Sequence, residues 1–347
     1  MKRILYLNYM KQYGHLNFDQ IHIDALLAEG NDVRLVMPEK MAKLMNRPCD
    51  MYEWIIPNWM SYYGKNGAVN RLFYILILLV LRIRTQFSKY DVCVVSNTDE
   101  ISLGLVPFPI KEYLICHANC CSFANKFKRF FMNKLSASND FIVFNERMKQ
   151  VFVDNGINNV HIVSHGCMPH FDKATMASIP QELTGHKHIV FHPSSKPERK
   201  LLEGIMENKR LHKYLIDNDV VLVLRNKPDD IADIPNIVYI NRYLTTDEYR
   251  GLFLKSDVIL LAYPEEFAYS VSGVSFECVS NSKNVLVLEN PSLNYCRKFY
   301  SYNPFFKDTD EFCDKLNSII SNPDDNKCIV GIDELRPKYN NVFQNKA

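Results

Sequence analysis

His117 stands where a short apolar stretch of the sequence, residues 113–116, comes to an end. An imidazole at the end of a buried strand can act as a general base or hold a hydroxyl group by a hydrogen bond, although a structural histidine is the plainer interpretation. Cys116, Cys120 and Cys121 lie close by in the sequence. We exclude a zinc site there because no second pair of ligands follows at a suitable spacing.

Gly14 and His15 separate the first apolar stretch, residues 3–8, from a helical pattern that begins at Phe18. A glycine and a histidine at a helix start can turn backbone N–H groups and an imidazole toward a ligand, and a glycine also simply suits a turn. The segment contains neither G-x-G-x-x-G nor G-x-x-x-x-G-K-[ST]. The dinucleotide-binding and P-loop interpretations are therefore unsupported.

The loop after residues 188–192 carries hydroxyls and bases just before another helical pattern. Ser195, Lys196 and Lys200 have the chemistry of a phosphate site, because hydroxyls, cations and a helix start all stabilise phosphate oxygens. A solvated, charged helix start is the alternative interpretation. We expect this loop to bind a diphosphate.

Ser272, Gly273 and Val274 form a turn of small residues that follows the apolar stretch 257–262 and opens a helix. Such a turn leaves backbone N–H groups open to phosphate oxygens. Glu277 lies one turn into that helix, and its two carboxylate oxygens can accept hydrogen bonds from both hydroxyls of a ribose. Together these residues predict a site for a nucleoside diphosphate.

Acidic residues occur in two further places with different interpretations. Glu265 and Glu266 follow a predicted strand, where a carboxylate can steady a cationic centre or bind hydroxyls. Asp308 and Asp310 form a D-x-D pattern, which elsewhere holds metal ions. Because Glu311 stands three residues after Asp308 at the start of a helical pattern, we interpret Asp308 as a helix N-cap.

Short apolar stretches alternate with longer amphipathic stretches along the whole chain. Their nearly continuous Val, Ile and Leu content predicts strands covered on both faces, as in parallel sheets. Two successive sets of alternating strands and helices predict two doubly wound α/β domains, which bind ligands at the carboxyl ends of their strands. The predicted strands are residues 3–8, 33–37, 91–96, 113–116, 141–144, 160–163, 188–192, 219–225, 237–240, 257–262 and 284–288, with helices at 18–29 and 201–218 among others.

The composition is that of a globular protein of 347 residues, 47% hydrophobic and 23% charged. It excludes disordered, collagen-like and coiled-coil chains. A net charge of +2, from 41 Lys and Arg against 39 Asp and Glu, gives no reason to expect nucleic acid as a partner. We predict an N-terminal domain at 1–170, a linker at 171–187, a second domain at 188–325 and a tail at 326–347 that packs on the first domain.

Ten cysteines without a signal-peptide pattern predict free thiols in the cytoplasm, and no apolar run is long enough to cross a bilayer. Residues 71–84 are an apolar run bracketed by arginines, which indicates a buried core helix or a membrane-surface helix. Residues 126–134 interleave bases with aromatic residues, a pattern typical of contact with anionic lipid. Single-stranded nucleic acid would use the same residue types, but no other basic stripe supports it.

The order of loop acid, small-residue turn and helix acid between Glu265 and Glu277 resembles the donor-nucleotide site of GT-B glycosyltransferases. The likeness is to glycosyltransferase family four and to bacterial polysaccharide glycosyltransferases. That family has two glutamates seven residues apart, whereas ten residues separate Glu266 from Glu277 here. Residues 160–166 resemble the turn that closes the family's first domain, and residues 243–257 resemble the helix before its donor-site strand. The likeness covers most of the chain.

The resemblance implies two Rossmann-like domains that face each other across a cleft, and a metal-independent glycosyltransferase without a cofactor. Its partners would be a nucleoside-diphosphate sugar and a glycan or lipid-linked acceptor in bacterial surface polysaccharide synthesis, at the cytoplasmic face of a membrane. His117, Glu265 and Glu266 would then be catalytic, and Lys196 and Lys200 would bind the phosphates. A sugar-nucleotide epimerase and a non-catalytic nucleotide-sugar-binding subunit are the alternatives.

Overall fold

The computed structural model describes residues 1–10, 15–62, 64–168, 170–177, 179–194, 198–227 and 233–344. The chain divides into two compact units. The first unit comprises Met1–Gly166 together with Arg336–Ala347, and the second comprises Cys167–Leu335.

Strands and α-helices alternate along most of the chain. The strands are β1 (Arg3–Leu7), β2 (Asp32–Pro38), β3 (Tyr52–Ile56), β4 (Val92–Val95), β5 (Glu112–Ile115), β6 (Asp140–Val143), β7 (Val160–Ile162), β8 (His188–Phe191), β9 (Val220–Arg225), β10 (Ile237–Ile240), β11 (Val258–Leu261), β12 (Asn284–Leu288) and β13 (Phe305–Phe306). The helices are α1 (Leu16–Ala28), α2 (Glu39–Met45), α3 (Gly67–Arg84), α4 (Glu100–Leu105), α5 (Lys126–Ser136), α6 (Glu146–Asp154), α7 (Arg199–Glu207), α8 (Lys209–Asp217), α9 (Thr246–Lys255), α10 (Gly273–Ser280), α11 (Thr309–Ser321) and α12 (Asn340–Gln344).

Each unit contains one sheet whose paired strands are all parallel. The strand orders are β3-β2-β1-β4-β5-β6-β7 and β10-β9-β8-β11-β12-β13. In both sheets the order reverses beside the strand that comes first in the chain, so both are doubly wound. Most residues of the central strands are buried, because helices cover both faces. The predicted pair of Rossmann-like α/β domains is confirmed.

All eleven predicted strands are present, and the structure adds β3 and β13. Both additional strands lie at the edge of a sheet. Strand β3 carries an exposed glutamate among its apolar residues, and β13 has only two residues, so neither shows the apolar run of a central strand. The helix predicted at 201–218 is two helices, because Asn208 ends α7 and its side chain accepts a hydrogen bond from Leu211 N–H to begin α8.

The segment predicted as a linker, 171–187, packs into the second unit instead. Phe171 and Leu183 are buried in one of its two apolar cores. The Phe171 N–H donates to Asn281 Oδ1 at 2.9 Å. The predicted tail is divided: residues up to Leu335 belong to the second unit, and the rest belongs to the first. Tyr339 is fully buried there, and its hydroxyl lies 2.5 Å from His22 Nδ1.

Gly166, at the end of the first unit, needs a conformation and a space that only glycine offers. Its φ is +80°, and a Cβ atom there would lie 2.5 Å from Ile21 Cγ2 and 3.2 Å from Pro337 Cδ. We expect Gly166→Ala to lower the free energy of unfolding by at least about 2 kcal/mol, from backbone strain and overpacking together. Denaturant unfolding measures the loss.

Gly30 is the matched control for this substitution. Its φ is also +80°, but nothing lies within 4 Å of the position of its Cβ. Gly30→Ala should therefore cost only the backbone strain, about 1 kcal/mol. Equal losses in the two variants would contradict the packing argument.

Helix α3 has one buried and one exposed apolar face rather than lying wholly in the core. Tyr74, Ile77, Leu78 and Leu81 are buried. The opposite face leaves several large apolar side chains in solvent. Among the helices that the structure describes, none is long and apolar enough to cross a membrane.

Candidate functional site

His117 lies at the carboxyl edge of the first sheet, two residues after β5 ends. Its Nε2 donates a hydrogen bond to the backbone carbonyl of Ser96, just beyond β4, at 3.1 Å. Because a carbonyl only accepts, Nε2 carries the hydrogen and Nδ1 of the neutral ring is an acceptor. No described residue hydrogen-bonds to Nδ1. The ring is therefore oriented by the protein with one acceptor left for a ligand.

Aromatic rings enclose His117 and keep it neutral. The ring centroids of His15, Phe18 and Phe144 lie 4.5, 4.6 and 5.0 Å from that of His117. Burial, and then the neighbouring histidines, lower the pKa of His117 well below its ordinary value of 6.5. Burial lowers the pKa of His15 as well. The structure thus brings His15 and His117 together, and both remain uncharged near neutral pH.

A cavity of about 380 Å³ opens beside these histidines, entirely within the first unit. Its charged lining residues form two ion pairs, with Arg71 Nη2 3.1 Å from Asp99 Oδ2 and Lys128 Nζ 3.1 Å from Glu100 Oε1. Because these charges are paired, the cavity favours a neutral ligand rich in hydroxyls over an ion. Further polar lining comes from Asn97, Thr98, Asn119 and Ser122.

In the second unit, Ser272 is the N-cap of α10. Its Oγ accepts from Ser275 N–H at 3.3 Å and lies 2.7 Å from the Tyr263 hydroxyl. Its own N–H donates to the Tyr295 hydroxyl at 3.1 Å. Sequence analysis predicts a phosphate contact from this amide, but the amide already has a protein acceptor. Ser272 therefore shapes the helix start instead of offering an N–H group to a ligand.

Gly273 and Val274 supply the first two N–H groups of α10. No described residue accepts a hydrogen bond from either, as is usual for the first turn of a helix. A Cβ atom at Gly273 would meet nothing within 4 Å, so there is free space beside the first residue of the helix. Two amides with positive partial charge and free space can bind an anion such as phosphate.

Glu277 lies one turn further along α10, and the structure fixes its carboxylate. The Tyr249 hydroxyl on α9 donates to Glu277 Oε2 at 2.6 Å. Burial raises the pKa of Glu277 above its ordinary value of 4.5, while this hydrogen bond opposes the rise. No described residue hydrogen-bonds to Oε1. A ligand hydroxyl can therefore bind to a carboxylate oxygen that is already positioned.

Lys200 and Glu265 line a second cavity, of about 680 Å³, at the carboxyl edge of the second sheet. Lys200 is the second residue of α7, and no described residue pairs with its ammonium group. Glu265 and Glu266 are exposed on a short 3-10 helix, Glu265–Tyr269, and neither forms an ion pair or hydrogen bond through its carboxylate with a described residue. Among its described lining residues this cavity includes neither Gly273 nor Glu277. Lys200 and the amides of Gly273 and Val274 thus occupy two places on the same sheet edge.

Three of the predicted site residues, Gly14, Ser195 and Lys196, lie outside the described residues. Asp308 has the predicted capping role, since its Oδ1 accepts from Asp310 N–H at 3.1 Å and from Glu311 N–H at 2.9 Å. Within the described part of the chain, no three His, Cys, Asp or Glu side chains form a group that could hold a metal ion.

Sequence analysis did not identify several of the residues that complete these sites. Tyr249 lies 28 residues before Glu277, and Arg71 lies 28 residues before Asp99, so no local pattern connects them. Asp99 and Glu100 could have been found. They end a polar run directly after a predicted strand, where ligand-binding residues of parallel sheets collect.

No protein-family model matches the sequence, and no curated protein matches it either. Solved structures are similar in fold. Sucrose-phosphate synthase from Thermosynechococcus elongatus superposes with a TM-score of 0.61 at 11% identity, covering 99% of this chain and 96% of that chain. Anabaena HepE, in complex with UDP and glucose, has a TM-score of 0.58 at 11% identity and covers 94% of this chain and 91% of its own.

A putative UDP-N-acetylglucosamine 2-epimerase from Listeria monocytogenes is also similar. Its TM-score is 0.54 at 11% identity, and the superposition covers 94% of this chain and 89% of that chain. At this identity the similarity establishes the fold alone. The chain therefore has the two-domain α/β architecture of the GT-B type, which carries more than one activity.

Proposed function

We propose that this protein is a glycosyltransferase that moves a sugar from a nucleoside-diphosphate sugar to a hydroxyl of a glycan or lipid-linked acceptor. The observation that carries the proposal is a pair of N–H groups at the start of α10, from which no described residue accepts a hydrogen bond, near the carboxylate of Glu277, which Tyr249 holds in place. The amides of Gly273 and Val274 would hold the diphosphate, and Glu277 would hold the ribose hydroxyls. Such a pairing of anion-binding amides and a hydroxyl-binding carboxylate suits a nucleoside diphosphate.

The chemistry follows from the charges that sugar transfer develops. The bond between the anomeric carbon and the diphosphate oxygen breaks as the acceptor oxygen bonds to that carbon and loses its proton, for which Nδ1 of His117 is the proposed acceptor. Negative charge grows on the leaving diphosphate, where the amides of Gly273 and Val274 would bind it and Lys200, from the neighbouring cavity on the same sheet edge, would add a positive charge. Positive charge grows on the sugar, where Glu265 or Glu266 would stabilise it. Like the resemblance, the proposal invokes no metal and no cofactor.

The cavity of the first unit would bind hydroxyls, with Nδ1 of His117 as an acceptor.

The proposal includes the setting that the resemblance implies, which is bacterial surface polysaccharide synthesis at a membrane. The use of a sugar nucleotide is supported by neighbours of the same fold, one of them solved with UDP and glucose. Thermal-shift measurements with UDP, GDP, CMP and their sugars test it, because a bound ligand raises the melting temperature. If none of these raises it, the proposal is wrong.

Lys200→Ala should weaken binding of the nucleoside diphosphate about three- to tenfold without changing the fold. An exposed cation contributes only modestly to an anion site, about 0.5–1.5 kcal/mol. Isothermal titration with the nucleotide found in the thermal-shift screen measures the change. Lys209→Ala removes an exposed cation at the start of α8, outside the cavity, and should leave the affinity unchanged.

A sugar-nucleotide epimerase is the second candidate, favoured by the 2-epimerases among the structures of the same fold. An epimerase consumes its substrate without an acceptor, whereas a glycosyltransferase needs one. Incubation with the sugar nucleotide alone separates the two activities. If an epimer of the donor sugar accumulates, free or still attached to the nucleotide, the protein is an epimerase and the glycosyltransferase proposal is wrong.

A further inference from the structure

Helices α3 and α5 each present large apolar side chains to solvent. On α3 the exposed side chains are Leu72, Leu76, Leu79 and Ile83, spaced so that they share one face, and Leu72 and Ile83 are 67% and 84% exposed. On α5, Phe127 and Phe130 are 60% and 61% exposed. A soluble protein rarely leaves so large an apolar face uncovered unless it binds something. We call these six residues the docking surface.

The two helices are close in the fold, because α4 packs against both. The Arg82 guanidinium at the end of α3 donates to the carbonyl of Pro107 at 2.7 Å. The Lys134 ammonium at the end of α5 donates to the carbonyl of Gly104 at 2.7 Å. Between these two carbonyls, at the end of α4, Leu105 is also exposed. Exposed apolar side chains therefore occur on three neighbouring helices, with basic side chains near the ends of α3 and α5.

The charge of these helices selects the partner. Together they contain seven Lys and Arg and no Asp or Glu. Only Arg71 and Lys128 form ion pairs with acids of α4 or its cap. The remaining five form no ion pair with any described residue; they are Arg82, Arg84, Lys126, Arg129 and Lys134. A second copy of the chain packed symmetrically on this surface would bring these cations together, which is unfavourable.

We propose that the docking surface binds an anionic lipid bilayer. Leucine, isoleucine and phenylalanine side chains would enter the interface, while the cations would contact lipid phosphates. Each cation near an anionic membrane contributes about 1 kcal/mol, so the five unpaired cations and the apolar side chains suffice for reversible binding. This surface identifies the residues behind the membrane setting of the proposed function.

The position of the docking surface also indicates which class of acceptor the protein would use. Arg71, Tyr74 and Lys128, which line the cavity beside His117, belong to the same two helices. The cavity and the docking surface are thus built on the same two helices. A lipid-linked acceptor is then the better candidate, an inference that rests on the proposed function.

Vesicle co-sedimentation of the full chain tests the membrane proposal without substrate. Wild-type protein should bind vesicles of phosphatidylcholine and phosphatidylglycerol in equal parts at least about tenfold more tightly than pure phosphatidylcholine, and salt should weaken this binding. Leu79→Glu combined with Ile83→Glu should reduce binding at least about tenfold, as should Lys126→Glu combined with Arg129→Glu.

Leu44→Glu on α2 is the matched control, since Leu44 is also 61% exposed but lies outside the docking surface. Circular dichroism should show the same fold in every variant. Equal binding to both vesicles, or an equal loss in the control, would overturn the proposal. Sedimentation equilibrium without lipid supplies another test: a wild-type dimer that dissociates in the Leu79 and Ile83 variant would assign the surface to a second copy. Because no sugar nucleotide is present, failure of the proposed function would leave these results unchanged.

Discussion

Replacing His117 by glutamine is expected to lower kcat/KM for sugar transfer by about 100- to 1,000-fold, the range of general acid–base effects. Glutamine can still bond to the Ser96 carbonyl, but it has no imidazole nitrogen to accept the hydroxyl of a substrate. The measurement is release of nucleoside diphosphate under steady-state conditions. Affinity for the nucleotide alone should stay unchanged, because the donor site proposed here lies on the second unit.

His161→Gln is the control for this experiment. His161 lies in the same unit and hydrogen-bonds to Asp140 at 3.0 Å, but it does not line the cavity. A similar loss in both variants would mean that His117 acts through the fold. The pH profile offers an independent readout: since the pKa of His117 is well below 6.5, its acceptor should not be lost as the pH falls through 6.5.

Glu277→Gln should weaken binding of the nucleoside diphosphate by about 10- to 100-fold. Hydrogen bonds to a charged acceptor contribute about 1.5–3 kcal/mol, and about 1.4 kcal/mol is a factor of ten. Glutamine keeps one acceptor oxygen but replaces the other with a donor. Tyr249→Phe should cause a smaller loss, because the carboxylate remains but is less well fixed. Isothermal titration measures both variants.

The affinity for the nucleotide should also depend on pH through Glu277. Burial raises the pKa of Glu277, so its carboxylate gains a proton, and loses acceptor capacity, at a higher pH than an ordinary glutamate. Nucleotide affinity should therefore fall as the pH drops toward 4.5, and Glu277→Gln should remove that dependence. Glu207→Gln, an exposed residue of α7, is the charge-matched control. If it weakens binding as much, the ribose role of Glu277 is wrong.

The sheets were predictable because their central strands carry a local signal. Eleven stretches rich in Val, Ile and Leu are strands in the structure, since a sheet covered by helices on both faces buries most of its side chains. The strands β3 and β13 escaped prediction because β3 contains an exposed glutamate and β13 has only two residues. The break at Asn208 also escaped, because one capping side chain ends the first helix and begins the second within an unbroken amphipathic pattern.

The candidate sites were predictable only in part, for a related reason. His117, Lys200 and Glu277 follow strand ends or helix starts, so their position along the sequence already indicates the edge of a sheet. The residues that form hydrogen bonds with the site residues show no such local pattern. Nothing near Glu277 in the sequence indicates that Tyr249 holds its carboxylate, and nothing near Ser272 indicates that the Tyr295 hydroxyl takes its amide hydrogen.

Local patterns of apolar and polar residues were thus enough to define two parallel α/β sheets and the sheet edges at which the candidate sites lie. Folding decided which side chains meet at those edges, which amides remain unpaired and which apolar face of α3 stays in solvent. The physical reason is the range of the interactions. A buried strand or helix face requires apolar residues that are close together in the sequence. A hydrogen bond or an ion pair, in contrast, joins residues that only the packed chain brings within about 3 Å.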